Sequence, residues 1–200
     1  MMEALLREME DYAQENHVPI INEGARDAFC RIICEERPHR VLELGTAIGY
    51  SALLMAGMGA EDIEVVSLEL NEARAAKAKE FIRRSPYRDR IHVLYGDAAE
   101  LLGSLHGPFD FVFMDAAKGQ YPRYFRQILP LLEKRAVVLA DNVLFRGYVL
   151  SKEKPPRRFK TITKRLREYI GLVQNTPGFT TEILPEGDGL AVSRRMEHDG

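Results

Sequence analysis

Apolar positions along this chain follow two rhythms. Leu5, Leu6, Met9, Tyr12 and Ala13 recur at helical spacing, so residues 2–16 read as an amphipathic helix. Pro19 disfavours helix at the residue before it, which makes 17–21 an extended segment. Asn22 can cap a second helix running to about Glu36, and Pro38 marks its end. From Arg40 the pattern changes. Short apolar runs at 41–44, 63–68, 91–95, 109–114 and 136–140 alternate with helical stretches at 51–58, 71–84, 97–105 and 121–132. That alternation predicts βαβ units around a buried parallel sheet. The tail departs from it: a basic helix from about Pro156 to Gly171 precedes two apolar runs, 179–184 and 190–193, joined by the turn-forming stretch 185–189. The expected architecture is α/β, with a seven-stranded, mostly parallel sheet, a C-terminal antiparallel hairpin and helices on both faces.

Length and composition narrow this further. Two hundred residues fit one domain over 1–200, with the helices of 1–36 packed beside a core of 40–195. The chain carries 28 Lys and Arg against 30 Asp and Glu, a net charge of -2, which excludes a uniformly basic coat for nucleic acid. The charge is segregated, however. Residues 1–36 hold three cations against nine acids, and residues 152–167 hold eight cations against one acid. No apolar run approaches the roughly 20 residues of a spanning helix, and no signal-peptide pattern opens the chain, so a soluble, cytoplasmic protein is expected. Cys30 and Cys34 share a helical face in poor disulfide geometry and read as two small buried thiols.

The first strand runs into a glycine turn, Leu44-Gly45-Thr46-Ala47-Ile48-Gly49-Tyr50-Ser51. Glycines there let the backbone approach a ligand at the carboxyl end of a strand. The spacing is not the G-x-G-x-x-G of a dinucleotide site, which argues against a dehydrogenase. Glu43 sits just before the turn, favourable beside a cationic ligand and repulsive beside a pyrophosphate. Glu69 ends the second strand, where an acid commonly takes the two ribose hydroxyls. Gly96-Asp97-Ala98 follows the third strand, placed to contact a base. Ribose, base and a positive end together describe S-adenosylmethionine.

A second group ends the fourth and fifth strands: Asp115, with Lys118 three residues on, and Asp141-Asn142. Neighbouring strand ends lie about 5 Å apart, so these residues can converge. Two carboxylates and an amide oxygen are hard ligands suited to Mg²⁺, Mn²⁺ or Ca²⁺, and the lack of His or Cys argues against Zn²⁺. An ion there could orient a substrate with two adjacent oxygens, and Lys118 could remove its proton.

These motifs resemble the metal-dependent, catechol-type O-methyltransferases that use S-adenosylmethionine, over nearly the whole chain from Val18 to Ser193. The marks are Leu42-Glu43-Leu44-Gly45 through Ser51, Asp115 with Lys118, and Asp141-Asn142. Within that family the chain looks most like the bacterial tRNA 5-hydroxyuridine methyltransferases. Asp115-Ala116-Ala117-Lys118-Gly119-Gln120-Tyr121, Asp141–Gly147 and Gly187-Asp188-Gly189-Leu190-Ala191 carry this closer likeness. The resemblance implies a Rossmann-like class I methyltransferase and a cofactor site built from Ile21, Glu43, Gly45 and Ser51. Glu69, Asp97, Ala98 and Asp115 would complete that site. Ile21 stands where the closer group tends to have methionine. The resemblance also implies Mg²⁺ held by Asp115, Asp141 and Asn142, with Asp115 and Lys118 as catalytic residues, Lys118 being the base or an orienting charge. It implies a homodimer.

On this reading the reaction makes 5-methoxyuridine at the wobble position, and the partner is the tRNA anticodon loop. Arg146, Arg157, Arg158, Lys160, Lys164 and Arg165 would hold phosphates, and Phe145, Tyr148 and Phe159 would stack on unpaired bases. The alternatives are a small-molecule catechol or phenol O-methyltransferase, and a non-catalytic nucleoside- or RNA-binding module. The late acid that binds the second catechol hydroxyl in the catechol enzymes has no evident counterpart in the sequence.

Overall fold

A computed structural model of the chain describes residues 2–196; Met1 and residues 197–200, the ends of the expected domain, lie outside the described residues. Strands β1 (Arg40–Leu44), β2 (Glu64–Glu69), β3 (Ile91–Tyr95), β4 (Phe109–Met114) and β5 (Leu132–Ala140) pair in parallel. Strands β6 (Phe179–Leu184) and β7 (Leu190–Arg195) join them antiparallel, giving the order β3-β2-β1-β4-β5-β7-β6. The helices are α1 (Met2–Glu15), α2 (Glu23–Glu36), α3 (Tyr50–Met58), α4 (Glu72–Arg83), α5 (Ala98–Leu101), α6 (Tyr121–Ile128) and α7 (Lys160–Asn175).

The strands are apolar on both faces because helices cover both. Alternate side chains point opposite ways. Phe111 and Phe113 of β4 therefore enter one core with α1 to α4, and Val112 and Met114 enter the other with α5 to α7. The Phe29 ring of α2 lies 4.8 Å from that of Phe113, and both are buried. Truncating either to Ala would cost about 3–5 kcal/mol. Helix α1 joins the same core through Leu5, Met9 and Ala13, and its Tyr12 ring meets Phe81 of α4 edge-on at 5.7 Å.

The element boundaries depart from the expected ones where polarity or glycine misleads. Strand β5 begins at Leu132, four residues early, because Glu133, Lys134 and Arg135 are exposed and break the apolar run. Helix α5 is one turn followed by a 3₁₀ turn, Leu102–Ser104. Helix α7 starts at Lys160, after a 3₁₀ turn that follows Pro156. It runs past Gly171 to Asn175, because a glycine on an open helix face weakens a helix without ending it. The cysteines are also corrected: Cys30 is half-buried and Cys34 exposed, both free, because α2 turns Ala25, Ala28, Phe29, Ile32 and Ile33 inward instead. Among the described residues no helix is long and apolar enough to cross a membrane.

Candidate active site

Strand order reverses between β1 and β4, and at the carboxyl ends of the strands there a cavity of about 320 Å³ opens. Gly45 makes the approach possible. Its φ is +102°, and a Cβ on it would sit 2.2 Å from the Asp115 carbonyl oxygen. Gly45 and Thr46 donate their N–H groups to the Leu68 carbonyl at 2.9 and 3.1 Å, pinning the turn over β2.

Glu69 lines the cavity and is held by backbone. Its Oε2 accepts from the Ala47 N–H and its Oε1 from the Asn71 N–H, each at 2.8 Å. Asp97 and Ala98 also face the cavity, and Asp97 Oδ1 caps α5 by accepting the Ala99 N–H at 2.7 Å. Three other expected cofactor residues lie behind the wall. Ile21 is buried in the core while its neighbours Ile20 and Asn22 reach the cavity. Glu43 is fully buried, accepting hydrogen bonds from the Ser51 and Ser67 hydroxyls, and Thr46 Oγ1 lies 2.5 Å from Ser67 Oγ. Burial pushes the Glu43 carboxyl up to about 7; the two serine hydrogen bonds oppose that rise, and Asp115 and Glu69 add to it.

The second group converges in the same cavity. The Asp115 N–H donates to the Leu44 carbonyl at 2.9 Å and the Asp141 N–H to the Met114 carbonyl at 3.0 Å, extending the ladder beyond the strands. Lys118 Nζ donates to Asp115 Oδ1 at 3.0 Å. Asp141 Oδ1 accepts the Asn142 N–H at 2.6 Å, and Asn142 is left-handed with φ +56°. Burial first, then the nearby Asp115 charge, pushes the Asp141 carboxyl up to about 7. Among the described residues no group of three or more His, Cys, Asp and Glu side chains gathers to hold an ion. The expected centre, two carboxylates and the Asn142 amide, is not such a group of three.

Sequence reasoning missed Arg74, Tyr124 and Tyr121. Arg74, in the first turn of α4, and Tyr124 of α6 line the cavity. The buried Tyr121 hydroxyl lies 2.9 Å from the Met114 carbonyl oxygen and 3.0 Å from that of Asp141, bracing the two strand ends. Both tyrosines were hidden in the apolar stripe of α6. A larger groove of about 830 Å³ opens at the amino ends of the strands. There Asp110 accepts the His39 and Arg40 N–H groups at 2.7 and 2.9 Å, which ties loops together instead of presenting a reactive centre.

The residues expected to meet RNA are arranged differently. Phe145, Tyr148 and Phe159 pack on one another with centroids 5.3–6.3 Å apart. Arg146 and Arg158 lie over the Phe159 ring at 5.4 and 4.5 Å, and Arg165 pairs with Glu168 at 2.7 Å. Arg157, Lys160 and Lys164 line a separate cavity of about 560 Å³ with Lys152, Lys154 and Arg167.

The O-methyltransferase family model matches residues 3–196. The chain belongs to that family. Its fold is the Rossmann-like class I methyltransferase fold, with a mixed sheet and flanking helices. A solved candidate caffeoyl-CoA O-methyltransferase from Staphylococcus aureus is 31% identical and superposes with a TM-score of 0.87 over 95% of this chain and 91% of that one. An O-methyltransferase from Bacillus cereus in complex with SAH is 25% identical, with a TM-score of 0.84 over 96% and 90% of the two chains. A catechol O-methyltransferase of Niastella koreensis is 34% identical over 133 residues, 64% of this chain and 59% of that protein. The chain thus spans less than two thirds of that curated relative.

These likenesses overturn the tRNA expectation. They run to proteins named for catechol and caffeoyl-CoA, so 5-hydroxyuridine, the anticodon-loop partner and the tRNA-binding roles of Arg146, Arg157, Arg158, Lys160, Lys164 and Arg165 do not hold. The physical reason lies in the motifs. The glycine turn and strand-end acids carry no information about the size of the acceptor. The basic segment was read as an RNA surface, yet the expected stacking rings Phe145, Tyr148 and Phe159 pack on one another, with Arg146 and Arg158 over Phe159.

Proposed function

We propose that this protein transfers a methyl group from S-adenosylmethionine to an oxygen of a small phenol, a catechol-type acceptor with two adjacent oxygens. The observation that carries the reading is that Glu69, Asp97 and Ala98 share one cavity with the Asp115, Lys118, Asp141 and Asn142 group. The relatives named for catechol and caffeoyl-CoA, and the structure in complex with SAH, support it.

In this reading Glu69 takes the ribose hydroxyls, its carboxylate already aimed by the Ala47 and Asn71 amides. Asp97 and Ala98 flank the base, and Gly45 lets the backbone approach the cofactor. Ile21, Glu43 and Ser51 support that wall from behind. Lys118 accepts the phenolic proton on Nζ or holds the phenolate beside Asp115. The oxygen lone pair forms the new C–O bond as the C–S bond breaks, its electrons staying on sulfur. Fixing the two reactants in line supplies most of the acceleration, since the sulfonium is already activated.

A divalent cation, Mg²⁺ by preference, is the finer part of the proposal. The Asp115 charge hinders ionisation of Asp141, and a hard cation held by both would relieve that repulsion. Asp115, Asp141 and Asn142 would hold it, and it would chelate and orient the two acceptor oxygens. The test is methyl transfer to catechol followed by mass spectrometry, with and without EDTA. A monomethyl ether that disappears with chelation is expected; S-adenosylmethionine binding without any product would sink the substrate reading.

A phenolic acid joined to coenzyme A as a thioester is a second reading, favoured by the 560 Å³ cavity. Six cations against Glu153 line it. Arg167 of its rim donates to the Tyr148, Val149 and Ser151 carbonyls at 2.9, 3.0 and 2.7 Å, joining it to the loop that begins at Asn142. Coenzyme A carries phosphates that suit such a cavity. Turnover of a coenzyme A ester falling with salt, while that of free catechol does not, is the expected signature.

A further inference from the structure

Asn142 reaches the cavity from an unusual loop. Asn142, Phe145, Arg146 and Gly147 have φ of +56°, +44°, +55° and +75°, and three of these are L side chains in a region they rarely adopt. Inside the loop the Tyr148 N–H reaches the Phe145 carbonyl at 3.0 Å, the Val149 N–H the Leu144 carbonyl at 3.3 Å and the Ser151 N–H the Gly147 carbonyl at 3.1 Å. Three further amides are held from elsewhere. The Val143 N–H donates to the Gly189 carbonyl at 3.0 Å, the Leu144 N–H to the Asp188 carbonyl at 2.9 Å, and the Arg146 N–H to the Asp188 side chain. All three acceptors belong to the β6–β7 turn.

The same turn abuts the opposite wall. Gly187 lies so close to the start of α2 that a Cβ would meet Ala25 Cβ at 2.8 Å and Asn22 Oδ1 at 3.0 Å. Glu186 pairs with Arg31 of α2 at 3.6 Å. Asn22 both caps α2 and lines the cavity. On the loop side a Cβ on Gly189 would fall 2.3 Å from Leu144 Cγ. The turn is therefore wedged between the two walls, with glycine where each comes closest.

We infer that Asp188 is a positioning residue for the acceptor side of the reaction. Its carboxylate holds the Arg146 amide, keeps the loop left-handed, and so places Asn142 beside Asp141 and Lys118. It does not line the cavity. This inference rests on the proposed methyl transfer for its kinetic arm only.

The experiment compares Asp188→Ala with Asp188→Asn, which keeps an acceptor oxygen at the same place. One charge-assisted hydrogen bond and the order it imposes correspond to about a 10- to 100-fold effect. Asp188→Ala is expected to lower kcat by that factor while the S-adenosylmethionine dissociation constant stays within about twofold of wild type, and Asp188→Asn is expected to recover most of kcat. Trypsin cleavage after Arg146, read by mass spectrometry without turnover, should accelerate in Asp188→Ala and return toward wild type in Asp188→Asn. Should Asp188→Ala not fold, Asp188→Ser, whose hydroxyl falls short of the amide, takes its place. Wild-type kcat and wild-type cleavage in the Ala or Ser variant overturn the inference, as does an Asn variant as impaired as Ala. A wild-type protein inactive on every phenol would defeat the proposed function but leave the cleavage arm to decide this one.

Discussion

The two halves of the cavity are built by different means. On the cofactor half, each key side chain is tied to backbone or hydroxyl groups of the adjoining strand ends: Glu69 to Ala47 and Asn71, Glu43 to Ser51 and Ser67, Asp97 to Ala99. On the acceptor half, the loop after β5 is shaped by a hairpin turn more than forty residues further on and by Arg167 of α7. The first half is a strand–turn–helix unit repeated by the sheet, so relatives can share it whatever they methylate. The second is a joint between distant segments, and the proposed acceptor would meet that joint. A motif match therefore speaks for the cofactor and is nearly silent about the acceptor.

The largest test of this contrast strikes the cofactor half. Gly45→Ala should abolish measurable cofactor binding by calorimetry, because its methyl would overlap the Asp115 carbonyl 2.2 Å away. Retained micromolar binding would mean that the turn does not carry the site. Next, Lys118→Ala should cost about 10²-fold or more in kcat at saturating cofactor while binding is kept, as loss of a general base does. Equal losses in kcat and in cofactor affinity would erase the division between halves.

A smaller effect concerns stability. Burial raises the folded Glu43 carboxyl to about 7 from an unfolded value near 4.5, so the native state binds the extra proton between those limits. Glu43 thus contributes stability that is present below about pH 4.5 and is lost as pH rises through about 7, on the order of 3 kcal/mol. Glu43→Gln should flatten that stretch of the urea-midpoint profile relative to wild type. Parallel profiles would show that Glu43 is ionised in the folded protein. The smallest effect belongs to the basic cavity. Arg157→Ala with Lys160→Ala should raise KM for a coenzyme A ester a few-fold at low salt, consistent with about 0.2–1 kcal/mol per exposed charge, and leave free catechol unchanged.

Local chemistry made much of this legible. Apolar runs bounded by turn residues located all seven strands, and the acids at their carboxyl ends pointed to the cavity because such ends must gather there. Periodicity failed where a side chain had two qualifications. Tyr121 and Tyr124 satisfied the apolar stripe of α6 and so did not stand out as cavity or strand-end groups. Position in a motif placed Glu43 and Ile21 at the cofactor wall, and only packing shows that both side chains are buried. The eight cations of 152–167 were visible as charge, but which rings were already occupied was not.

The sequence by itself determined the sheet, the glycine turn and the strand-end acids, because alternation, left-handed glycine geometry and the reach of a strand end are local properties of the chain. Only the tertiary structure decided the acceptor side. The left-handed Asn142 loop, the Asp188 carboxylate beneath it and the wedge of Gly187 and Gly189 between two walls depend on segments brought together by the closing hairpin. Their geometry is set by van der Waals contact and hydrogen bonds across the fold, and no spacing along the chain encodes it.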